Sequence, residues 1–255
     1  MPFTKTDPQA PEGFYESEAA GLAWLADARA ARVVGVVEAV PGRIRLAELT
    51  HGAPTPAHAR EFGRALAAMH DSGAPAFGSP PTGWDGPCFI GARRMSCEPD
   101  PRWGRFYVEQ RVMPYVDIAE VMGQLGPADI DALEDACAAI ASGAFDDDEP
   151  PSRLHGDLWN GNVFWTPDGV TLIDPAAHGG HRETDLAMLD LFGVPFQREI
   201  LAGYEEQHPL AAGWRHRIPL HQLFPLAVHA AGHGPSYGVA LGRAARLTLR
   251  LADVR

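Results

Sequence analysis

The chain has 255 residues, of which 45% are apolar, and its formal net charge is −12. Such an acidic balance argues against nonspecific nucleic-acid binding, which requires a basic surface. The sequence shows neither a secretory signal nor the roughly 18 apolar residues of a spanning helix. We therefore expect a cytoplasmic protein without a membrane partner. Its three cysteines lack zinc-site spacing, and their odd number argues against a disulfide framework.

The first 50 residues predict a small β/α lobe. A short strand carries Lys5, and a helical pattern follows over residues 17–28. Two strand-like runs, 33–40 and 44–49, are joined by a Pro-Gly pair, which is a hairpin signal. These elements predict a small antiparallel sheet accompanied by one helix.

The remainder of the chain is predicted to be mostly helical, because its apolar residues recur at helical spacing. Predicted helices cover 56–69, 103–124, 127–144, 186–191, 196–204, 218–229 and the segment from Tyr237 onward. The acidic run 146–149 is either a metal site or a solvated loop, and four consecutive carboxylates favour the loop. We divide the chain into a first lobe, 1–50, and a second lobe, 51–255.

A conspicuous motif begins at His155, which opens the run HGDLWNGN; the sequence Leu-Ile-Asp follows, ending at Asp174. This is the layout of a kinase catalytic loop and its metal-binding aspartate. Phosphoryl transfer asks the protein mainly for positioning and charge stabilisation. Asp157 is therefore predicted to orient an acceptor hydroxyl and take its proton. Asn162 and Asp174 are predicted to hold Mg²⁺ on the phosphates of ATP.

The sequence between these residues predicts a hairpin. Two apolar runs, 162–165 and 170–173, flank the turn sequence Thr-Pro-Asp-Gly. A hairpin closed there places Asn162 opposite Ile173 and Asp174, with Asp157 on the same side. Taken singly, such residues are more often turn formers or helix caps. All three at these spacings favour a catalytic site.

Residues 154–193 resemble the fructosamine kinase (ketosamine-3-kinase) family, which pairs an HGDLW-GN loop with a DPA segment and a later G-RE-DLAM stretch. That family belongs to the protein-kinase-like superfamily, beside the aminoglycoside phosphotransferases. The resemblance implies an α+β, two-lobe fold. Its abbreviated N-lobe would hold a small antiparallel sheet plus one helix and bind nucleotide. Its mostly helical C-lobe would be catalytic and bind substrate.

The resemblance also implies how the nucleotide is held. Lys5 looks like the phosphate-binding lysine, and Glu18 like the carboxylate that holds its long side chain in place. The strand that ends at Glu48 and Leu49 looks like the entry to the hinge, where adenine bonds to the backbone.

Further roles follow from the same resemblance. His155 would support the loop backbone, and Asp185 would hydrogen-bond that backbone from below. His229 would face the substrate, and Glu183 would either face it too or support the loop as Asp185 does. Trp159 would close one wall of the sugar site by ring stacking, unless it is a core residue.

Three features leave alternatives open. His178 and His181 lie near Glu183, but they lack the spacing of a helical zinc pair, which favours surface or supporting roles. Only four residues precede Lys5, so this sequence does not include the two strands and the glycine-rich loop that cover the phosphates in the superfamily. Either the sequence begins late in its reading frame or the N-lobe is abbreviated, and without the loop weaker nucleotide binding is expected. Residues 92–95 read Ala-Arg-Arg-Met where the family more often has a polar Pro-Gln stretch.

We therefore expect an ATP-dependent kinase of a ketosamine: a fructosamine, a ribulosamine or a related glycated amine. An aminoglycoside or other amino-sugar is the alternative acceptor. A catalytically weak pseudokinase that binds a ligand or partner is the alternative from another functional class. The sequence leaves the oligomeric state open.

Overall fold

The computed structural model describes residues 2–252. Met1, in the first predicted lobe, and residues 253–255, in the second, lie outside the described residues. The strands are β1 (Phe3–Thr6), β2 (Arg32–Val33), β3 (Val36–Val40), β4 (Arg43–Leu46), β5 (Cys88–Ile90), β6 (Arg93–Met95), β7 (Ser152–Leu154), β8 (Val163–Thr166), β9 (Gly169–Leu172) and β10 (His178–Gly180). The α-helices are α1 (Phe14–Asp27), α2 (Pro56–Asp71), α3 (Trp103–Phe106), α4 (Met113–Val121), α5 (Pro127–Ala141), α6 (Arg182–Phe192), α7 (Gln197–Gln207), α8 (Trp214–His233) and α9 (Pro235–Ala252). This mixture matches the predicted α+β class.

Internal contacts divide the chain into two compact units. The first unit joins the residues up to Cys97 with Pro151–Leu210, and the second joins Glu98–Pro150 with the residues from Ala211 on. These boundaries differ from those of the predicted lobes, 1–50 and 51–255. The lobe division therefore stays a proposal about function.

The first unit contains the predicted small sheet, with strand order β1-β4-β3 and antiparallel pairing throughout. Lys5 lies opposite Ile44 in this register. Helix α1 packs its apolar side on the sheet, where Leu22, Ile44 and Leu46 are buried in one cluster. Burial of this cluster positions the β1 lysine and the polar side of α1 at the same edge.

The predicted strand 33–40 is wrong as one continuous element. Val33 belongs to β2, which pairs in parallel with β9, whereas β3 begins only at Val36 and pairs with β4. The amide of Val34 donates to Leu172 O at 3.0 Å, and Gly35 O accepts from Ala47 N at 2.7 Å. The chain therefore changes partners at Gly35, which connects the two sheets of the first unit.

Helices α2 and α7 of the first unit approach closely through glycines. A Cβ atom on Gly63 would lie 1.9 Å from Ile200 O, and one on Gly203 would lie 2.0 Å from Arg60 O. Any larger residue would push the helices apart. Thr55 caps the N-terminus of α2, where its hydroxyl accepts from the backbone N–H of His58 at 3.2 Å.

In the second unit, the predicted single helix 103–124 is interrupted. A π-helix, Tyr107–Val112, separates α3 from α4. The Tyr107 hydroxyl lies 2.9 Å from His221 O of α8. This carbonyl has no helical donor, because Pro225 lacks the N–H that would reach it. The hydroxyl also accepts from Phe224 N at 3.1 Å. The Tyr107 hydroxyl therefore supplies the hydrogen bond to His221 O that Pro225 cannot make within α8.

The acidic run 146–149 contacts the start of α3. Asp146 accepts from the backbone of Gly104 at 2.8 Å, so the first acid of the run caps α3.

Within residues 2–252, no helix combines the length and apolar character needed to cross a membrane. The cytoplasmic location stays a prediction.

Candidate active site

The hairpin predicted around the turn after β8 is present. Strands β8 and β9 pair antiparallel, with Val163 opposite Leu172. The ladder extends one step further, because Ile173 N donates to Asn162 O at 3.2 Å. Asn162 and Asp174 therefore emerge side by side at the open end of the hairpin.

Asp174 adopts an unusual backbone conformation, with φ at +53°. This left-handed region is disfavoured for residues with a Cβ, although aspartate tolerates it better than most. The carboxylate is 42% exposed and accepts from Lys5 Nζ at 2.5 Å. Pro175, the next residue, packs against α1 at Gly21, where a Cβ atom would lie 3.3 Å from the ring. The close approach brings α1 alongside the Asp174 backbone.

Lys5 bridges two carboxylates. Its ammonium group donates to Glu18 Oε1 at 2.8 Å as well as to Asp174. Burial alone would lower the pKa of Lys5, but Glu18 and Asp174 outweigh it and raise the pKa. Burial raises the pKa of Glu18, and the nearby lysine only partly offsets the shift. The lysine is thus held charged and in one position between Glu18 and Asp174.

Asp157 is fixed by Asn162. The side-chain amide of Asn162 donates to Asp157 O at 2.7 Å and to Asp157 Oδ2 at 3.0 Å. Burial raises the pKa of Asp157 to about 6, against the lowering effect of that hydrogen bond, and the charges of Asp185 and Asp174 add to the rise. A carboxylate with this pKa is ionised at neutral pH and is a better proton acceptor than an ordinary aspartate.

The loop backbone before Asp157 rests on a buried carboxylate. Asp185 accepts from His155 N at 2.8 Å, from Gly156 N at 3.0 Å and from His70 Nε2 at 3.1 Å. Burial alone would raise the pKa of Asp185, but the hydrogen bonds from His70 and from the His155 backbone help to lower it. The carboxylate thus stays charged and holds two consecutive backbone amides in place.

His70 is itself held from its other side. Its Nδ1 atom lies 2.7 Å from the Tyr204 hydroxyl. Burial lowers the pKa of His70, so the ring is neutral at pH 7. The ring proton is therefore assigned to Nε2, facing Asp185, and Nδ1 accepts from Tyr204. This chain of hydrogen bonds ties α2 and α7 to the loop.

His155 spans the loop internally. Its Nε2 atom donates to Ile173 O at 2.9 Å, and its Nδ1 accepts from Asp157 N at 3.3 Å. Burial lowers the pKa of the ring, as this neutral tautomer requires. Gly156 has φ at +81°, and a Cβ there would lie 2.1 Å from Ala176 O. Only glycine fits between His155 and Asp157.

Two cavities meet at Lys5 and Asp174. The first, which we call the cleft, has a volume of about 340 Å³. Its lining includes six of the predicted residues: Lys5, Glu18, Asp157, Trp159, Asn162 and Asp174. The second, the apolar cavity, has about 540 Å³ and is lined by Glu48, Leu49, Lys5, Asp174 and apolar side chains that include Val34, Leu46, Phe164 and Ile173. We call the place where the two cavities meet the junction. The charged groups of Lys5 and Asp174 lie there, and the walls of the second cavity are mainly apolar.

Trp159 lies on the rim of the cleft and not in the core. It is 41% exposed, and its ring meets Phe192 edge-on at 6.2 Å. A Cβ on Gly161 would lie 2.3 Å from the ring, so the indole rests on the loop backbone. One face of the indole is therefore available beside Asp157.

Glu183 and His229 are not among the described residues that line the cleft. Glu183 is buried in the first turn of α6, where its backbone donates to the ring of His181 at 3.2 Å. His181 thus serves as the cap of α6. His229 belongs to the second unit, where its Nδ1 lies 2.7 Å from Pro225 O. The substrate roles of both residues stay predictions.

Several residues of the site were not predicted from the sequence. Phe14 and Tyr15 line the cleft, but the predicted helix began at Ser17, whereas α1 begins at Phe14. The adjacent aromatic residues Phe14 and Tyr15 were the sequence feature that could have indicated a ligand-binding surface. His70 was also missed, because a histidine at the end of an apolar helical stripe resembles any buried polar residue.

Comparison with known proteins identifies relatives of the chain. The sequence profile of the fructosamine kinase family matches residues 2–250. A protein of Enterococcus faecium named "Probable ketoamine kinase" is 31% identical over 245 residues, which cover 92% of this chain and 83% of that protein. A crystal structure of a "putative fructosamine-3-kinase" from Thermobifida fusca YX-ER1 is 44% identical, with a TM-score of 0.91 over 98% of this chain and 85% of that one.

More distant solved structures share the fold. Choline kinase LicA from Streptococcus pneumoniae is 16% identical, with a TM-score of 0.59 over 97% of this chain and 85% of its own. The predicted protein-kinase-like α+β fold is confirmed. The resemblance inferred from the HGDLW loop is confirmed by a family match over nearly the whole chain. The chain belongs to the fructosamine kinase family and is accordingly a phosphotransferase that acts on a sugar hydroxyl.

Proposed function

We propose that the chain transfers the γ-phosphoryl group of ATP to a sugar hydroxyl of a small ketosamine: a fructosamine, a ribulosamine or a related glycated amine. The observation that carries the proposal is an aspartate of raised pKa, Asp157, in the same cavity as Lys5, Asn162 and Asp174. The names of the Enterococcus and Thermobifida relatives support this acceptor class.

Asp157 acts as the general base. Its carboxylate accepts the proton of the sugar hydroxyl as that oxygen attacks phosphorus. The hydrogen bond from Asn162 keeps Asp157 in one orientation, so the acceptor meets a preorganised group. Trp159 supplies a ring face for the sugar, and Glu183 and His229 remain candidates for contacts to the rest of the acceptor.

The nucleotide occupies the apolar cavity and the junction. Adenine lies between the apolar walls and bonds to the backbone near Glu48 and Leu49. Lys5, held by Glu18, contacts the phosphates. The ammonium group of Lys5 has three N–H donors, and Glu18 and Asp174 take two of them, so the third contacts a phosphate oxygen.

The donors at the junction fit Mg²⁺. The Asn162 amide oxygen and the Asp174 carboxylate are hard oxygen ligands of the type that Mg²⁺ prefers. When bound, the ion would neutralise charge on the phosphates.

The activity should fall in acid as Asp157 becomes protonated. The pKa of Asp157 is raised to about 6, so kcat/KM should halve near that pH and fall about tenfold per unit below it. Carbon NMR titration of the carboxyl group in the substrate-free protein should give the same midpoint, free of substrate ionisation. A midpoint near 4 in both measurements would remove Asp157 from this role.

An acceptor panel distinguishes the proposal from its alternatives. With Mg²⁺ and ATP, fructosyl-butylamine should stimulate ADP formation strongly, whereas kanamycin and choline should not. Stimulation by kanamycin alone would assign the chain to an aminoglycoside-type activity. No turnover with any acceptor, and no rise in melting temperature with ATP, would indicate a pseudokinase.

A further inference from the structure

A third cavity in the first unit lies beside the cleft. It measures about 500 Å³, and its lining includes Glu12, Glu16, Trp84 and Arg94. We call it the lateral cavity. The residues that line it are distinct from those assigned above to ATP, Mg²⁺ and the sugar hydroxyl.

One carboxylate oxygen in this lining lacks a partner. Glu16 Oε2 is shielded from solvent and makes no hydrogen bond to any described residue. Buried polar atoms of folded proteins are nearly always paired, so an unpaired carboxylate oxygen calls for a donor. A ligand with a cationic N–H group provides the strongest such donor.

The aromatic side of the lateral cavity also suits a cation. Trp84 is fixed there by a hydrogen bond from its Nε1 to Pro87 O at 3.1 Å. Gly13 packs on the same corner, where a Cβ would lie 2.9 Å from the Pro87 ring. An indole face beside two glutamates attracts ammonium groups by charge and by cation–π interaction.

An apolar ridge separates the lateral cavity from the cleft. Phe14 and Phe89 both line the cleft and meet edge-on at 5.2 Å. Arg94 lies opposite Phe89 in the β5–β6 hairpin, and its guanidinium is 5.7 Å from the centre of that ring. The ridge thus has Asp157 on its cleft side, and Arg94 and Glu16 on the other.

We propose that the lateral cavity binds the amino-acid part of a glycated lysine. The α-ammonium group binds Glu12 and Glu16 beside Trp84, and the α-carboxylate binds Arg94. The four-carbon lysine stem crosses the ridge of Phe14 and Phe89, so apolar surface meets apolar surface. This assignment rests on the proposed function, because the sugar must lie in the cleft. It gives a role to the Ala-Arg-Arg-Met segment that departs from the usual sequence of the family.

Two synthetic acceptors test the assignment. Nε-fructosyl-lysine carries both α-groups, whereas fructosyl-butylamine has the same sugar and a bare aliphatic stem. The wild-type kcat/KM for the lysine conjugate should exceed that for the butylamine conjugate by about tenfold. Glu16→Gln and Arg94→Gln should each reduce this ratio several-fold. Glu134→Gln, at an exposed position of α5, should preserve it.

The outcomes separate the two proposals. Equal kcat/KM values for both conjugates would overturn the lateral site and leave the ketosamine kinase assignment intact. Phosphorylation of neither conjugate would overturn the kinase assignment. Titration calorimetry without ATP then still decides the lateral site, because the lysine conjugate must bind more tightly than the butylamine conjugate and lose that advantage in Glu16→Gln.

Discussion

Asp157→Asn should reduce ketosamine-dependent turnover by about 10²–10⁴-fold and should also make the protein more stable at pH 8. Activity is lost because the amide cannot accept the hydroxyl proton. Stability is gained because the native fold buries the Asp157 charge and so raises its pKa from 3.8 to about 6. Asparagine has no charge to bury, and its side-chain oxygen can still accept from Asn162.

The stability gain should depend on pH in a defined direction. Between about pH 4 and pH 6 the folded protein binds the Asp157 proton more tightly than the unfolded chain does. The wild type therefore loses stability as the pH rises through this window. The variant should gain about 1–3 kcal/mol at pH 8 and less at pH 5. Asp168→Asn, in the exposed turn of the same hairpin, should change neither property. A less stable Asp157→Asn would contradict the burial of this charge.

Asp185→Asn should destabilise the fold by about 3 kcal/mol or more. The carboxylate accepts from three donors, His155 N, Gly156 N and His70 Nε2. An amide presents its own donor to at least one of them, so a buried N–H group loses its acceptor. The loop that carries Asp157 should loosen as well, and kcat should fall.

Urea unfolding at neutral pH measures this effect, with Asp190→Asn as the matched control on the same helix. Asp190 is exposed and accepts an exposed hydrogen bond from the Gln197 side chain at 3.1 Å, so its substitution should stay within about 0.5 kcal/mol of the wild type. Equal midpoints for both variants would show that Asp185 does not support the loop.

Local sequence predicted the catalytic hairpin because turn chemistry acts over a few residues. The Thr-Pro-Asp-Gly turn fixes the register of β8 and β9, and this register alone brings Asn162 to Asp174. By contrast, 169 positions separate Lys5 from Asp174. No local pattern reports such a contact, and the pairing of Lys5 with Glu18 was available only through family resemblance.

Elements that depend on distant partners were predicted least well. The run 33–40 has uniform β character, yet Val33 joins β9 and Val36 joins β4. The switch at Gly35 depends on which strands are near in space. The segment 103–124 likewise shows ordinary helical spacing, which does not predict the π-helix within it. The π-helix begins at Tyr107, whose hydroxyl donates to His221 O of α8, and this contact depends on a distant part of the sequence.

Phosphorus NMR of the protein with Mg²⁺, ATP and Nε-fructosyl-lysine tests most directly whether the chain is a ketosamine kinase. A phosphomonoester signal coupled to a sugar C–H should grow in equal amount with ADP, and it should be absent with Asp157→Asn. Two results obtained with folded, ATP-binding wild type would contradict the assignment: hydrolysis of ATP to ADP and inorganic phosphate alone, or recovery of the ketosamine unmodified. Either result would show that the chain is not a ketosamine kinase.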